Sequence, residues 1–134
     1  MKGTREIAHE LYRAFLDGDK HGMLALMHDD VEVSFLGQAR VVGKTEASRF
    51  FDFAATLLSD VDFSLEELVV DGPVAAGIWR ETATTVSGEP WENHGVDVIH
   101  VQEGCVIALH ENSDVRKVYR HFPRYNPTPN GFGS

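Results

Sequence analysis

The sequence has little positive charge and almost no cysteine. Its 134 residues include 12 Lys and Arg against 21 Asp and Glu, which gives a formal net charge of −9. Because clustered basic residues are needed to neutralise phosphates, this balance argues against a nucleic-acid ligand and against docking on an anionic membrane. Cys105 is the single cysteine, so the sequence excludes an internal disulfide and a zinc site built on paired cysteines.

Long apolar runs are also missing. No stretch approaches the roughly 20 apolar residues that a transmembrane helix requires. No signal-peptide pattern precedes the first predicted helix, so we expect a cytoplasmic protein that does not bind membranes. The length suits one domain with one hydrophobic core, and the apolar share of 43% is ordinary for a globular protein.

The order of the hydrophobic periods predicts an α+β domain. Apolar residues recur at helical spacing after Thr4, across residues 21–28 and after Thr45, and a short alternating strand at 31–35 lies between the last two. The period then falls to about two, and four further strands are predicted at residues 61–70, 75–86, 91–101 and 105–114. We therefore expect a curved antiparallel sheet wrapped around about three N-terminal helices.

The domain is predicted to span residues 1–120. Residues 121–134 contain prolines at positions 123, 127 and 129. Because proline removes a backbone donor and fixes φ, we expect this segment to be an irregular C-terminal tail on the surface or across an opening.

The segment "HGVDVIH", residues 94–100, places titratable groups inside an apolar strand. A carboxyl group in an apolar cavity has its pKa raised and can act as a general acid, while histidine titrates near neutral pH. Asp97 and His100 are three positions apart, so they face opposite sides of a strand unless a bulge intervenes. The alternatives are an exposed Asp97 and a structural His100.

The segment "GVDVIHVQEGCVIALHENSD" resembles the closing hairpin of SnoaL-like polyketide cyclases, in the nuclear transport factor 2-like superfamily. Its strand ends in Ile99-His100, a turn follows at Gly104, and the next strand ends in Asp114. The segments "FLDGDKHGMLALMHDDVEV" and "VVGKTEASRFF" are also similar to that family. The resemblance implies a cone-shaped sheet, an apolar pocket at its mouth and a homodimer.

The resemblance also implies site residues. His100 and Asp114 match the acid–base pair of the cyclases, and Asp97 matches a carboxyl that donates a hydrogen bond to the substrate oxygen in related steroid isomerases. The base of those isomerases falls on Ser34 or Phe35, which weakens the isomerase interpretation. We take Asp97, Asp114 and His100 as the predicted catalytic residues. The predicted substrate contacts are Tyr12, Phe35, Phe51, Trp79, Trp91, His110 and Glu111.

These features favour a cyclase or isomerase of secondary metabolism that acts on an apolar polyketide-like or aromatic molecule. Ring closure needs one proton removed from carbon and one delivered to oxygen, so neither a metal nor an organic cofactor is required. One alternative is a non-catalytic member that binds a small hydrophobic ligand, for which the carboxyls would be exposed. Another is an epoxide-opening cyclase or hydrolase, which would use the same residue types.

Overall fold

The computed structural model of the chain describes residues 1–35 and 40–123. The predicted α+β class and the order of the first elements are confirmed. The helices are α1 (Thr4–Leu16), α2 (Lys20–Ala25), α3 (Lys44–Ala55) and α4 (Val115–His121). The strands are β1 (Met27–Phe35), β2 (Val41–Val42), β3 (Leu58–Asp71), β4 (Val74–Thr85), β5 (Pro90–Gln102) and β6 (Cys105–Ser113).

The first two helices follow from spacing and capping. In α1, the residues Ile7, Ala8, Leu11 and Tyr12 form one buried stripe, as the helical period requires. Gly3 is the N-cap residue of α1. The Asp19 side chain accepts a hydrogen bond from the Gly22 backbone N–H at 2.8 Å, which begins α2.

The sheet is curved and open, with strand order β2-β1-β6-β5-β4-β3. The four long strands β3 to β6 pair antiparallel in sequence order, as expected. Strand β1, however, lies parallel to β6, with Val33 opposite Leu109. The sequence did not predict this parallel pairing, because no local signal tells a strand which distant neighbour it will pair with.

The helices cover one face of the sheet. In β5, buried and more exposed residues alternate, so that the buried ones share one face. We call this the inner face; in β5 it carries Trp91, Asn93, Gly95, Asp97, Ile99 and Val101. Ile7 of α1 and Phe50 of α3 are almost fully buried in the same core as Ile99. Two register irregularities in the β3–β4 ladder give places where those strands bend.

The chain after β6 differs from the prediction. Helix α4 was not expected, and it extends one residue beyond the predicted domain boundary at residue 120. Asp114 is its N-cap, and its carboxylate accepts a hydrogen bond from the Arg116 backbone N–H at 3.0 Å. The predicted irregular tail falls mostly on residues 124–134, which lie outside the described residues. Among the helices described, none is long and apolar enough to cross a membrane.

Candidate active site

Two glycines in the middle of the sheet make room for the site. Gly77 of β4 pairs with Asp97 of β5, and a Cβ at position 77 would overlap the Tyr12 hydroxyl. Gly95 pairs with Trp79, and a Cβ there would lie 2.6 Å from Trp79 Cζ2. Glycine inside a strand often marks a close approach, and here it lets Tyr12 and Trp79 lie against the sheet beside Asp97.

Asp97 is held by two side-chain donors. The Tyr12 hydroxyl donates to Oδ2 at 2.7 Å, and the Trp79 indole Nε1 donates to Oδ1 at 3.0 Å. The residue is only 7% exposed. Burial raises the pKa of the Asp97 carboxyl from 3.8 to about 6, an effect that the two hydrogen bonds oppose and the charge of Glu81 increases. The pKa of Tyr12 is also raised, first by burial and then by Asp97, so Tyr12 stays protonated as a donor.

Glu111 lies directly opposite Asp97 in the β5–β6 register, on the same inner face. Burial raises its pKa well above the usual value, and the charges of Asp97 and Glu81 raise it further. Among the described residues, no side chain or backbone group donates a hydrogen bond to the Glu111 carboxyl. The two hydrogen-bond donors around Asp97 therefore favour the ionised form of Asp97. Glu111 has no such donors within the described ranges, which favours its protonated form.

Glu81 is a third acid on the inner face. Its Oε1 accepts a hydrogen bond from the Trp91 indole Nε1 at 3.1 Å. Burial raises the pKa of Glu81, and this hydrogen bond opposes the change. The three acids thus share a largely apolar environment in which each added negative charge is unfavourable.

Two cavities adjoin these acids. The smaller has a volume of about 90 Å³ and is lined by Tyr12, Trp79 and Asp97 among others. The larger has a volume of about 480 Å³, within the range of small-molecule sites. Five residues line both cavities: Phe15, Met23, Phe63, Glu81 and Glu111. The arrangement can hold a flat apolar molecule with Asp97 and Glu111 at one end.

Most of the predicted contact residues meet at these cavities. Tyr12 and Trp79 line the smaller cavity, Phe35, Phe51 and Trp91 line the larger, and Glu111 lines both. Asp97 lines the smaller one.

Three predicted residues do not line either cavity: His100, His110 and Asp114. The two histidines lie on the outer face, with ring centroids 5.6 Å apart, and His110 Nδ1 is hydrogen-bonded to Ser34 Oγ at 2.6 Å. Asp97 and His100 therefore do face opposite sides of β5, as strand parity predicts. Asp114 is the N-cap of α4.

Sequence reasoning missed Glu81 and Asn93. Each lies two positions after a tryptophan, Glu81 after Trp79 and Asn93 after Trp91, and each lines the larger cavity. Since residues two apart share a face of a strand, that spacing from a buried aromatic was the available signal.

Comparison with known proteins identifies the family. The sequence matches the SnoaL-like domain family over residues 8–110, more than half of the chain. The chain therefore belongs to the SnoaL-like domain family. No curated protein is significantly similar to it in sequence.

Solved structures share the fold at low sequence identity. An NTF2-like protein of unknown function from Burkholderia pseudomallei K96243 has a TM-score of 0.82 at 20% identity, over 90% of this chain and 97% of its own. A protein from Jannaschia sp. CCS1, provisionally described as a SnoaL-like polyketide cyclase, has a TM-score of 0.81 at 16% identity, over 94% and 97%. TerC, crystallised with polyporic acid, has a TM-score of 0.79 at 19% identity, over 90% and 98%. These similarities establish an NTF2-like fold.

Proposed function

We propose that this chain is a cofactor-independent cyclase or isomerase that acts by acid–base catalysis on an apolar polyketide-like or aromatic small molecule. The observation that carries the proposal is the Asp97–Glu111 carboxyl pair, directly opposed on two strands beside a largely apolar cavity. The polyketide-cyclase description of one structural neighbour and the crystallisation of TerC with polyporic acid support this substrate class.

In the proposed reaction Asp97 is the general base. Its anion takes a proton from a carbon next to a substrate carbonyl, and Tyr12 and Trp79 hold the carboxylate in place. The C–H electron pair becomes the new C=C bond, and protonated Glu111 delivers its proton to the carbonyl oxygen, so that an enol forms. In a cyclase, the C=C electron pair of the enol then forms a C–C bond to a second carbonyl carbon of the same molecule. The enol proton returns to Glu111, and protonated Asp97 gives its proton to the new alkoxide oxygen. A carboxyl pKa near 6 suits such a base at neutral pH.

The acids' burial favours this proposal over a non-catalytic binder. That alternative predicts exposed carboxyls or a filled pocket, whereas Asp97 is 7% exposed and the larger cavity measures about 480 Å³. Catalytic roles for His100 and Asp114 stay predictions, and they serve as comparison positions below.

Two further sequence-based expectations stay part of the proposal. A homodimer is supported by the outer face of β5, where Val96 is 38% exposed beside Val98 and opposite Ile78 of β4. The cytoplasmic location depends on the sequence alone.

The proposal is tested by proton exchange on a model ketone. Exchange of the α-protons of 2-tetralone in D2O is followed by proton NMR with the wild-type chain and with Asp97→Asn and Glu111→Gln. We expect the wild type to accelerate exchange and each variant to lose about a hundredfold or more, in line with the contribution of a general acid or base.

Asp114→Asn is the matched control, since it makes the same chemical change one residue beyond β6. It should leave the exchange rate within about twofold. No acceleration by the wild type, or equal rates in wild type and Asp97→Asn, would contradict the proposal. A large loss in Asp114→Asn instead would assign the base to that residue.

A further inference from the structure

Asn93 gives the larger cavity a second polar end. It lies on the inner face of β5, is 2% exposed and lines the larger cavity, whereas Asp97 lines the smaller one. The two side chains are four positions apart on one strand, so they contact different parts of a ligand.

Backbone donors fix the orientation of the Asn93 amide. Its Oδ1 accepts hydrogen bonds from the backbone N–H of His94 at 2.9 Å and of Asp114 at 3.4 Å. An amide nitrogen cannot accept these hydrogen bonds, so the amide oxygen of Asn93 must face the two backbone N–H groups. The NH2 group of the same amide therefore points away from them.

The NH2 group of Asn93 has no acceptor among residues 1–35 and 40–123. A neighbouring hydroxyl also has no partner there. Ser113 pairs with Gly95, lines the larger cavity too, and its buried Oγ has no hydrogen-bond partner in the described part of the chain. A ligand oxygen in the cavity would give an acceptor to the Asn93 NH2 group and to this buried hydroxyl, which is unfavourable without one.

The charges nearby restrict that oxygen to a neutral group. Glu81 lies directly opposite Asn93 in the β4–β5 register, and Glu111 precedes Ser113 by two residues on the same strand. Both acids line the same cavity. The Glu81 anion would repel a ligand carboxylate at this end, and protonated Glu111 supplies no positive charge to offset that repulsion. A ketone or quinone oxygen accepts the hydrogen bond without that repulsion.

We propose that the Asn93 amide donates a hydrogen bond to a neutral carbonyl oxygen of the ligand, which makes Asn93 the residue that selects a second carbonyl remote from the reacting carbon. This inference rests on the proposed function for the location of the ligand, and it adds the class of ligand: an apolar molecule with an unionised carbonyl at the Asn93 end.

The test compares isosteric probes by equilibrium dialysis at about pH 8. 2-Acetylnaphthalene carries a carbonyl oxygen, 2-isopropenylnaphthalene replaces it with CH2, and 2-naphthoate replaces the acetyl group with a carboxylate. We expect the wild type to bind the ketone about five- to tenfold more tightly than the hydrocarbon, as one hydrogen bond allows, and to bind the naphthoate more weakly than the ketone.

Two substitutions at position 93 distinguish hydrogen-bond donation to the ligand from the hydrogen bonds that Asn93 accepts from the backbone. Asn93→Asp keeps an oxygen for the two backbone donors but removes the NH2 group, and Asn93→Leu removes both. In each, the affinity ratio of ketone to hydrocarbon should fall to about one. Because the ratio is taken within one variant, a partly unfolded sample does not alter it. Asn112→Asp is the matched control on the exposed outer side of β6 and should keep the wild-type ratio.

The outcomes distinguish this inference from the proposed function. A wild-type ratio of one, or an unchanged ratio in both Asn93 variants, would overturn the role of Asn93. So would naphthoate binding as tight as ketone binding. If Asp97→Asn rather than the Asn93 variants abolished the ratio, the carbonyl would lie at the acid end, and the inference would fail while the proposed function stood. If the ratio fell to about one in the Asn93 variants while Asp97→Asn kept full exchange activity, the role of Asn93 would stand and the proposed function would fail.

Discussion

The inner and outer faces of the β5–β6 hairpin each carry a pair of titratable side chains from neighbouring positions. On the inner face Asp97 lies opposite Glu111, and on the outer face the rings of His100 and His110 are 5.6 Å apart. Adjacent residues of the same two strands thus belong to different environments. The inner pair adjoins cavities beneath the helices, whereas Ser34 of the neighbouring strand is the hydrogen-bond partner of the outer pair.

The two faces show that residue type alone does not decide which titratable side chains line the cavities. Histidine is the residue type most often chosen as an acid–base group, yet His100 and His110 line neither cavity. The carboxyls acquire a suitable pKa only because the inner face is desolvated. The described helices cover only the inner face of the sheet. This coverage, more than the type of side chain, distinguishes the candidate site from the histidine pair on the outer face.

The largest effect on stability should come from filling the space beside Gly77 that Tyr12 occupies on the inner face. Gly77→Ala places a Cβ against the Tyr12 ring, 2.6 Å from Cζ, and should lower the free energy of unfolding by about 3 kcal/mol. Chemical denaturation measures the loss. Tyr12→Phe in the same chain removes the atom nearest to the new Cβ, so the double variant should lose less than the sum of the two single variants.

Gly3→Ala is the control for this substitution, because no atom of residues 1–35 and 40–123 lies within 4 Å of a Cβ at that position. It should change the free energy of unfolding by less than about 1 kcal/mol. A Gly77→Ala chain as stable as the wild type would mean that Tyr12 does not lie where the site requires it.

A smaller effect should appear in the pH dependence of stability. The Asp97 pKa is raised from 3.8 to about 6 on folding, so between these values the folded chain binds more protons than the unfolded chain. The free energy of unfolding must then increase as pH falls through about 6 towards 3.8. From about pH 7.5 to about pH 5, Asp97 should contribute at least about 1 kcal/mol, with Glu111 acting in the same direction.

Urea denaturation at the two pH values measures this change. The double variant Asp97→Asn, Glu111→Gln should lose the gain, while His100→Asn, His110→Asn should keep the carboxyl part of it. Equal pH dependence in the wild type and in the carboxyl variant would show that the inner pair is not desolvated.

The smallest effect is expected on the outer face. His100→Asn and His110→Asn should each leave the 2-tetralone exchange rate within about twofold, since neither side chain lines a cavity. His110→Asn should lower stability by about 1 kcal/mol at most, through loss of its hydrogen bond with Ser34. If His100→Asn slowed exchange as much as Asp97→Asn, the face comparison would be wrong and the predicted catalytic role of His100 would stand.

Several features of the site could be predicted from particular residues. The alternation around Asp97 predicts that it and His100 face opposite sides, because the strand period is a local property of the backbone. The apolar neighbours of Asp97 indicate burial, and the tryptophans indicate a wall of the pocket. The pairing of Asp97 with Glu111 could not be predicted, because the two-residue turn after β5 leaves the register open by one residue.

The sequence by itself determined the elements: the helical and strand periods, the α+β order and the side of each strand that a residue occupies. These depend on interactions between near neighbours in the chain. Only the tertiary structure decided which faces meet: that β1 lies parallel to β6, that α4 follows β6, and that Tyr12, 85 residues away from Asp97, donates to it. Such contacts depend on how whole elements pack around a common core, and no local pattern records that packing.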